Sequence, residues 1–180
     1  MMHKDCERIL FTEDQLRSRV AEVAKEVDKL YLNKRPLCLG ILKGSVIFYS
    51  DFIRHLTAPV ELDFMAVSSY GSGAVSSGKL KIKKDLDSDV KGRDVIIIED
   101  IIDSGFTLAN LKALLYERGA ASVIIVTLLN KKGRREYDIS PDYNCFDIEN
   151  EFVIGYGLDY DERYRSLPYI GILKREVYEK

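Results

Sequence analysis

The chain has 180 residues, 46% of them hydrophobic and 31% charged, with a formal net charge of -2. That composition excludes a disordered chain, and the charge gives no bulk attraction to nucleic acid or an anionic membrane, so any bound anion must be held by a local site. The length suits one domain over 1–180, large enough to bury roughly 70% of the surface its unfolded chain exposes.

Cys6, Cys38 and Cys145 are odd in number and show no CxxC spacing, which argues against a disulfide framework or a zinc site. The opening MMHKDCER leads into no apolar segment of the secretory kind, and no apolar run approaches the ~18 residues of a membrane span, so a cytoplasmic location is expected.

Residues 12–30 carry Leu16, Val20, Val23, Val27 and Leu30 at alternating spacings of four and three, one face of a helix. Thr12 followed by Gln15 is a capping-box pattern at its start. Leu37–Leu42 (LCLGIL) reads as a strand buried on both faces, with Cys38 as a small core residue. Lys43-Gly44-Ser45 then leads into a helix over Val46–Leu56. Val60–Val67 alternates as a strand. The Ser/Gly-rich stretch after it predicts a mobile segment, placed within 68–84, and Lys79–Lys84 alternates Leu and Ile with Lys as an exposed edge strand does.

Asp94–Ile98 (DVIII) is the most β-branched apolar run and predicts a central strand. Thr107–Arg118 is helical, with Gly119 as its C-cap, and Ser122–Leu129 is the next strand. Beyond Lys131 the pattern is irregular. Repeated strand–helix units imply an α/β fold with a mainly parallel twisted sheet flanked by helices, and such sheets bind ligands outside the carboxyl ends of their strands. Lys43, Glu99, Asp100 and Lys131 all fall just past predicted strand ends.

The chemistry concentrates in Val95–Leu108 (VIIIEDIIDSGFTL). Glu99, Asp100 and Asp103 crowd three carboxylates into five positions among apolar residues, and buried acids need cationic or hydroxyl-rich partners. Mg²⁺ or a sugar diol meets that need. Asp103-Ser-Gly-Phe-Thr107 then opens a helix. Gly105 permits a tight turn, while exposed amides with the Ser104 and Thr107 hydroxyls make an anion pocket. Ser104 has an alternative use as a simple helix cap. Capping leaves Glu99 and Asp100 unexplained.

This motif resembles the signature of the phosphoribosyltransferases that use phosphoribosyl pyrophosphate. Leu42-Lys43-Gly44, Ser68-Ser69-Tyr70-Gly71, Lys131, Phe152–Tyr160 and Arg165 extend the likeness over nearly the whole chain, toward the bacterial hypoxanthine (6-oxopurine) branch of the type I family. The resemblance implies a type I fold with a small irregular hood built from the chain ends. It implies purine salvage: transfer of 5-phosphoribosyl to N9 of hypoxanthine, and of guanine. In that reading Glu99 and Asp100 hold the ribose hydroxyls and Mg²⁺, Asp103 is the general base facing purine N7, and Asp103, Ser104, Gly105, Phe106 and Thr107 bind the 5′-phosphate. Lys43 and Gly44 contact pyrophosphate beside a strained, cis-capable Leu42–Lys43 peptide. Ser69 and Tyr70 belong to a closing lid, and Lys131 donates to purine O6. Phe152 stacks on the base, Val153 meets its edge through the backbone, Asp159 holds a second Mg²⁺, and Arg165 binds pyrophosphate. A homodimer or homotetramer without nucleic-acid or membrane partners is the implied assembly.

Each residue also has a plain reading: Phe152 as core aromatic, Lys131–Arg135 as a solvated basic face, Asp159 as a loop acid. Phe106 stands where the family commonly has a smaller aliphatic residue, which bears on packing beneath the phosphate loop. His3 and His55 receive no catalytic role. Two alternatives compete. An RNA-binding regulator on the same fold would rest on Lys131–Arg135 and give salt-dependent RNA binding. A phosphoacceptor receiver domain would need an acidic residue at the end of another central strand, where Lys43 stands.

Overall fold

The computed structural model describes residues 2–69 and 80–179. In chain order these form β1 (Cys6–Phe11), α1 (Glu13–Asp28), β2 (Leu37–Leu42), α2 (Val46–Ile53), β3 (Glu61–Ser69), β4 (Leu80–Lys84), β5 (Asp94–Ile102), α3 (Phe106–Glu117), β6 (Ser122–Asn130), β7 (Tyr143–Asp147), β8 (Val153–Ile154), β9 (Ile170–Leu173) and the short α4 (Arg175–Tyr178). The main sheet has six strands in the order β4-β3-β2-β5-β6-β7. All its pairs are parallel except the edge pair β3–β4. β1, β9 and β8 form a second, antiparallel sheet of three strands. The hood expected from the chain ends is therefore a small ordered sheet joining residues near both ends.

Two apolar layers sandwich the main sheet. On one face α1 and α2 bury Leu16, Val20, Phe48 and Phe52 against Cys38, Ile96, Ile98 and Val126. On the other, Leu108, Leu111 and Leu115 of α3 pack on Leu39, Val95, Ile97 and Ile125. The strands carry apolar side chains on both faces because helices cover both.

α1 starts as its sequence predicts. Thr12 Oγ1 accepts from the Gln15 amide at 3.3 Å, and Gln15 Oε1 accepts from the Thr12 amide at 2.9 Å. The helix stops at Asp28, however, and Leu30 falls in a following 3-10 turn where it is 48% exposed. α2 also ends early, at Ile53 rather than Leu56. Beyond α2 the Asp28 carboxylate accepts from the amides of Thr57 and Ala58, which ties the following chain to the end of α1. β4 lies at the sheet edge as expected, while Lys79 and the rest of 70–79 lie outside the described residues. No helix among the described residues is long and apolar enough to cross a membrane.

Candidate functional site

From β2 the chain crosses through α2 to β3, and from β5 it crosses through α3 to β6, in the opposite direction along the sheet. The two connections cover opposite faces. A crevice therefore opens beyond the carboxyl ends of β2 and β5. The Lys43–Gly44 loop and the Glu99 and Asp100 acids meet there, around a cavity of about 340 Å³ that is also lined by Ser104, Gly105, Thr107, Asp159 and Arg165.

Glu99 and Asp100 lie inside β5, which runs on to Ile102, and not past its end as the sequence suggested. Glu99 Oε2 is buried without a hydrogen-bond partner. Asp100 Oδ1 accepts from the Ile101 amide at 2.8 Å. Burial, then the charge of Asp100, pushes the Glu99 carboxyl well above its usual range, and burial raises Asp100. Two adjoining half-buried acids call for a cation or hydroxyl donors. No group of three or more His, Cys, Asp or Glu suited to a metal occurs among the described residues. Mg²⁺ held by one or two carboxylates together with substrate oxygens needs no such group, so this donor set fits it.

The Leu42–Lys43 peptide is cis. Gly44 has no room for a side chain: an added Cβ would lie 1.7 Å from Asp100 Oδ2. Gly105, at φ +88°, is the N-cap of α3, a left-handed position that glycine takes readily. Ser104 is not the cap residue. Its Oγ accepts from the Phe106 amide at 3.3 Å, and its carbonyl accepts from the amides of Glu136 and Tyr137. Phe106 is half-buried, edge-on to Tyr137 at 5.5 Å, so the larger residue is absorbed by an aromatic pair. Thr107 follows it in the first turn of α3.

Asp103 stands between two basic residues that treat it differently. Arg134 approaches its Oδ2 at 3.5 Å, while Oδ1 is buried and unpartnered. Lys131, only 9% exposed, is tied through its amide to the Ile102 carbonyl at 3.0 Å, but its ammonium makes no hydrogen bond or ion pair among the described residues. Burial lowers the Lys131 pKa, against the opposing pull of Asp103. Phe152 is 36% exposed; its ring stacks on Tyr178 at 4.9 Å and meets Tyr160 edge-on at 5.5 Å. Val153 is buried in β8. Arg165 spans Asp159 Oδ1 (2.9 Å) and Glu162 Oε2 (3.3 Å), and its buried Nε has no partner.

A family model described as the phosphoribosyl transferase domain matches residues 10–161. The chain belongs to the phosphoribosyltransferase family. It is 49% identical over 180 residues to a hypoxanthine-guanine phosphoribosyltransferase of Streptococcus thermophilus, covering all of both chains. It is 51% identical to the enzyme of that name from Bacillus subtilis, covering 99% of each. A crystal structure of a hypoxanthine phosphoribosyltransferase from Staphylococcus aureus superposes with a TM-score of 0.95 at 47% identity, covering 99% of this chain and 97% of that one.

Within this phosphoribosyltransferase the crevice brings together Lys43, Gly44, Glu99, Asp100, Ser104, Gly105, Thr107, Asp159 and Arg165. Asp103 and Lys131 adjoin it through Ile102, and Phe106 through α3. Phe152 and Val153 stand apart from that cavity, at the edge of the three-stranded sheet. Ser69 ends β3, but its side chain and the whole of Tyr70 lie outside the described residues. A larger cavity of about 450 Å³, between α1, α2 and Ser166–Pro168, shares Arg165. Its Asp51 carboxylate already accepts from the Tyr156 hydroxyl at 2.6 Å, and no orphaned acid lines it among the described residues, whereas Glu99 Oε2 lines the smaller one.

Two residues escaped the sequence reading. Arg135 turns inward: its Nε donates to the Asp103 carbonyl at 3.0 Å, Nη2 to Asn130 Oδ1 at 2.7 Å, and Nη1 to the Ile139 carbonyl. Lys132 pairs with Asp147 at 2.7 Å and Arg134 with Asp103 at 3.5 Å, and both side chains remain exposed to solvent. Glu162 is the second; Lys43 and Arg165 together hold its carboxyl below the usual range. A basic run or a lone loop acid carries no periodic signal of such contacts.

Proposed function

We propose that the chain is a hypoxanthine-guanine phosphoribosyltransferase of purine salvage, moving 5-phosphoribosyl from phosphoribosyl pyrophosphate to N9 of hypoxanthine or guanine. The products are IMP or GMP and pyrophosphate. One observation supports this reading best: among the described residues an orphaned oxygen of Asp103 lies next to the segment that presents a buried, unpaired Lys131 ammonium. That pair suits a planar base with an N–H to give up and a 6-oxo group to receive a proton donor.

Amides at the start of α3, with the Ser104 and Thr107 hydroxyls, receive the 5′-phosphate, and Glu99 and Asp100 receive the ribose hydroxyls. Lys131 donates to O6, Phe152 faces the ring, and the Val153 backbone meets its edge. As the bond from ribose C1 to pyrophosphate breaks and that from C1 to N9 forms, the N7 proton passes to Asp103 Oδ1. Lys43 and Arg165 stabilise the charge left on pyrophosphate. Glu99 and Asp100 would hold one Mg²⁺ and Asp159 a second, each with substrate oxygens, and the metal would neutralise part of the developing charge. Positive charge on the ribose ring would attract water, which gives the segment of Ser69 and Tyr70 its use as a lid. A homodimer or homotetramer completes the reading, and light scattering of the purified protein tests it.

The functional test is product formation with phosphoribosyl pyrophosphate and Mg²⁺, offering hypoxanthine, guanine, xanthine, adenine and uracil separately. IMP from hypoxanthine or GMP from guanine, lost on chelation, is expected. Folded protein that turns over no base would overturn the assignment.

A further inference from the structure

Glu162 stands where an anion is wanted. Its Oε2 lies 3.1 Å from Lys43 Nζ and 3.3 Å from Arg165 Nη2. One carboxylate oxygen thus links two cations whose residues are far apart in the chain. The backbone holds it there at some cost: Glu162 sits at φ +58°, beside Asp161 at φ +53° and Tyr164 at φ +77°, in the left-handed region that non-glycine residues avoid. The Glu162 amide donates to Asp159 Oδ2 at 2.9 Å, fixing the turn. Neither Lys43 nor Glu162 is shut from water, with side chains 68% and 64% exposed.

From this geometry we infer that Glu162 is an internal counter-ion occupying the pyrophosphate subsite of the free enzyme, and that incoming pyrophosphoryl oxygens displace it from Lys43 and Arg165. The inference rests on the reading of those two cations as the pyrophosphate ligands. Exposed ion pairs are individually weak, so the exchange is easy and reversible. The carboxylate keeps two cations close together in the absence of substrate, and it competes with every anion that enters. Glu162 is in this sense a residue that sets anion affinity. It takes no part in bond making.

Calorimetric titration of the full-length protein with inorganic pyrophosphate, in Mg²⁺ buffer, tests this. Glu162→Gln removes the charge and keeps the shape, and an unchanged Tm confirms that the fold is intact. Two exposed pairs of ordinary strength predict about threefold to thirtyfold tighter pyrophosphate binding in the variant. In the Lys43→Ala background the gain from Glu162→Gln should shrink, which a purely structural role for Glu162 would not produce. Lys43→Ala alone should weaken binding. If it does, and Glu162→Gln leaves affinity unchanged or lower, the counter-ion inference is wrong and the subsite reading survives. If Lys43→Ala and Arg165→Ala both leave affinity unchanged, the subsite reading falls and the inference falls with it.

Discussion

Gly44 and Asp100 meet with no atom to spare: a methyl group at Gly44 would lie 1.7 Å from Asp100 Oδ2. The β2–α2 loop and the acidic part of β5 are therefore positioned by direct contact of backbone against carboxylate. Gly44→Ala must push one of them aside. A displacement of about 1 Å in a reacting geometry costs about 10²-fold in rate, so kcat/KM with hypoxanthine should fall by about that factor. Steady-state kinetics with a circular dichroism control checks it. Activity within twofold of the parent would show that the contact relaxes freely.

Lys131 is a buried ammonium without a partner among the described residues, and such a group opposes folding. Lys131→Met should raise Tm by a few degrees while raising KM for hypoxanthine by about 10-fold or more, the scale of a lost charge-assisted hydrogen bond. Adenine, which lacks the 6-oxo group, should bind the variant no worse. Differential scanning calorimetry and base-by-base binding together decide this. Equal loss for adenine would remove the O6 contact.

Arg135 joins the Asp103 carbonyl to Asn130 and Ile139, bracing the loop that precedes α3 against the segment that presents Lys131. Lysine cannot reproduce a planar fork with three bonded directions. Arg135→Lys should lower kcat about tenfold and stability by about 1–3 kcal/mol, because buried acceptors lose their donors. Urea titration with parallel kinetics measures both.

Much of this architecture is legible in the sequence because the central elements are buried on defined faces. Ile96 and Ile98 face one layer and Val95 and Ile97 the other, so β5 reads as an unbroken apolar run. Thr12 and Gln15 announce α1 through a local bond pattern. The peripheral strands lack such signals. β1 has one fully buried residue, Cys6, followed by exposed positions, and its pairing with β9 carries register shifts. β7 buries only Cys145. β8 has two residues, too few for any periodicity. The acids of the site are legible because carboxylates are rare in apolar runs. Arg135 reaches the Asp103 carbonyl and Glu162 reaches Lys43 across long stretches of chain, and their nearer partners, Asn130, Ile139 and Arg165, lie at strand ends or in irregular segments, so no periodic pattern encodes these contacts.

Asp28 supplies a pH-dependent contribution to stability. Burial raises its carboxyl, but the Thr57 hydroxyl and the Thr57 and Ala58 amides outweigh that and leave it below its ordinary value. A depressed folded pKa contributes stability that is complete above the unfolded value, roughly 4, and is lost as pH falls through the folded value. Asp28→Ala should cost about 1–3 kcal/mol at neutral pH by stranding two amides. The difference from the parent should narrow below about pH 4. Denaturant titrations at neutral pH and in the acid range measure it; a constant difference would contradict the role.

The central claim is that Asp103 takes the purine proton. Its most direct test is turnover of Asp103→Asn with hypoxanthine and phosphoribosyl pyrophosphate, set beside calorimetric binding of phosphoribosyl pyrophosphate to the same protein. Asparagine keeps the size and removes the base, so binding should persist while turnover falls by about 10²–10⁴-fold. Near wild-type turnover in the folded variant would contradict the account.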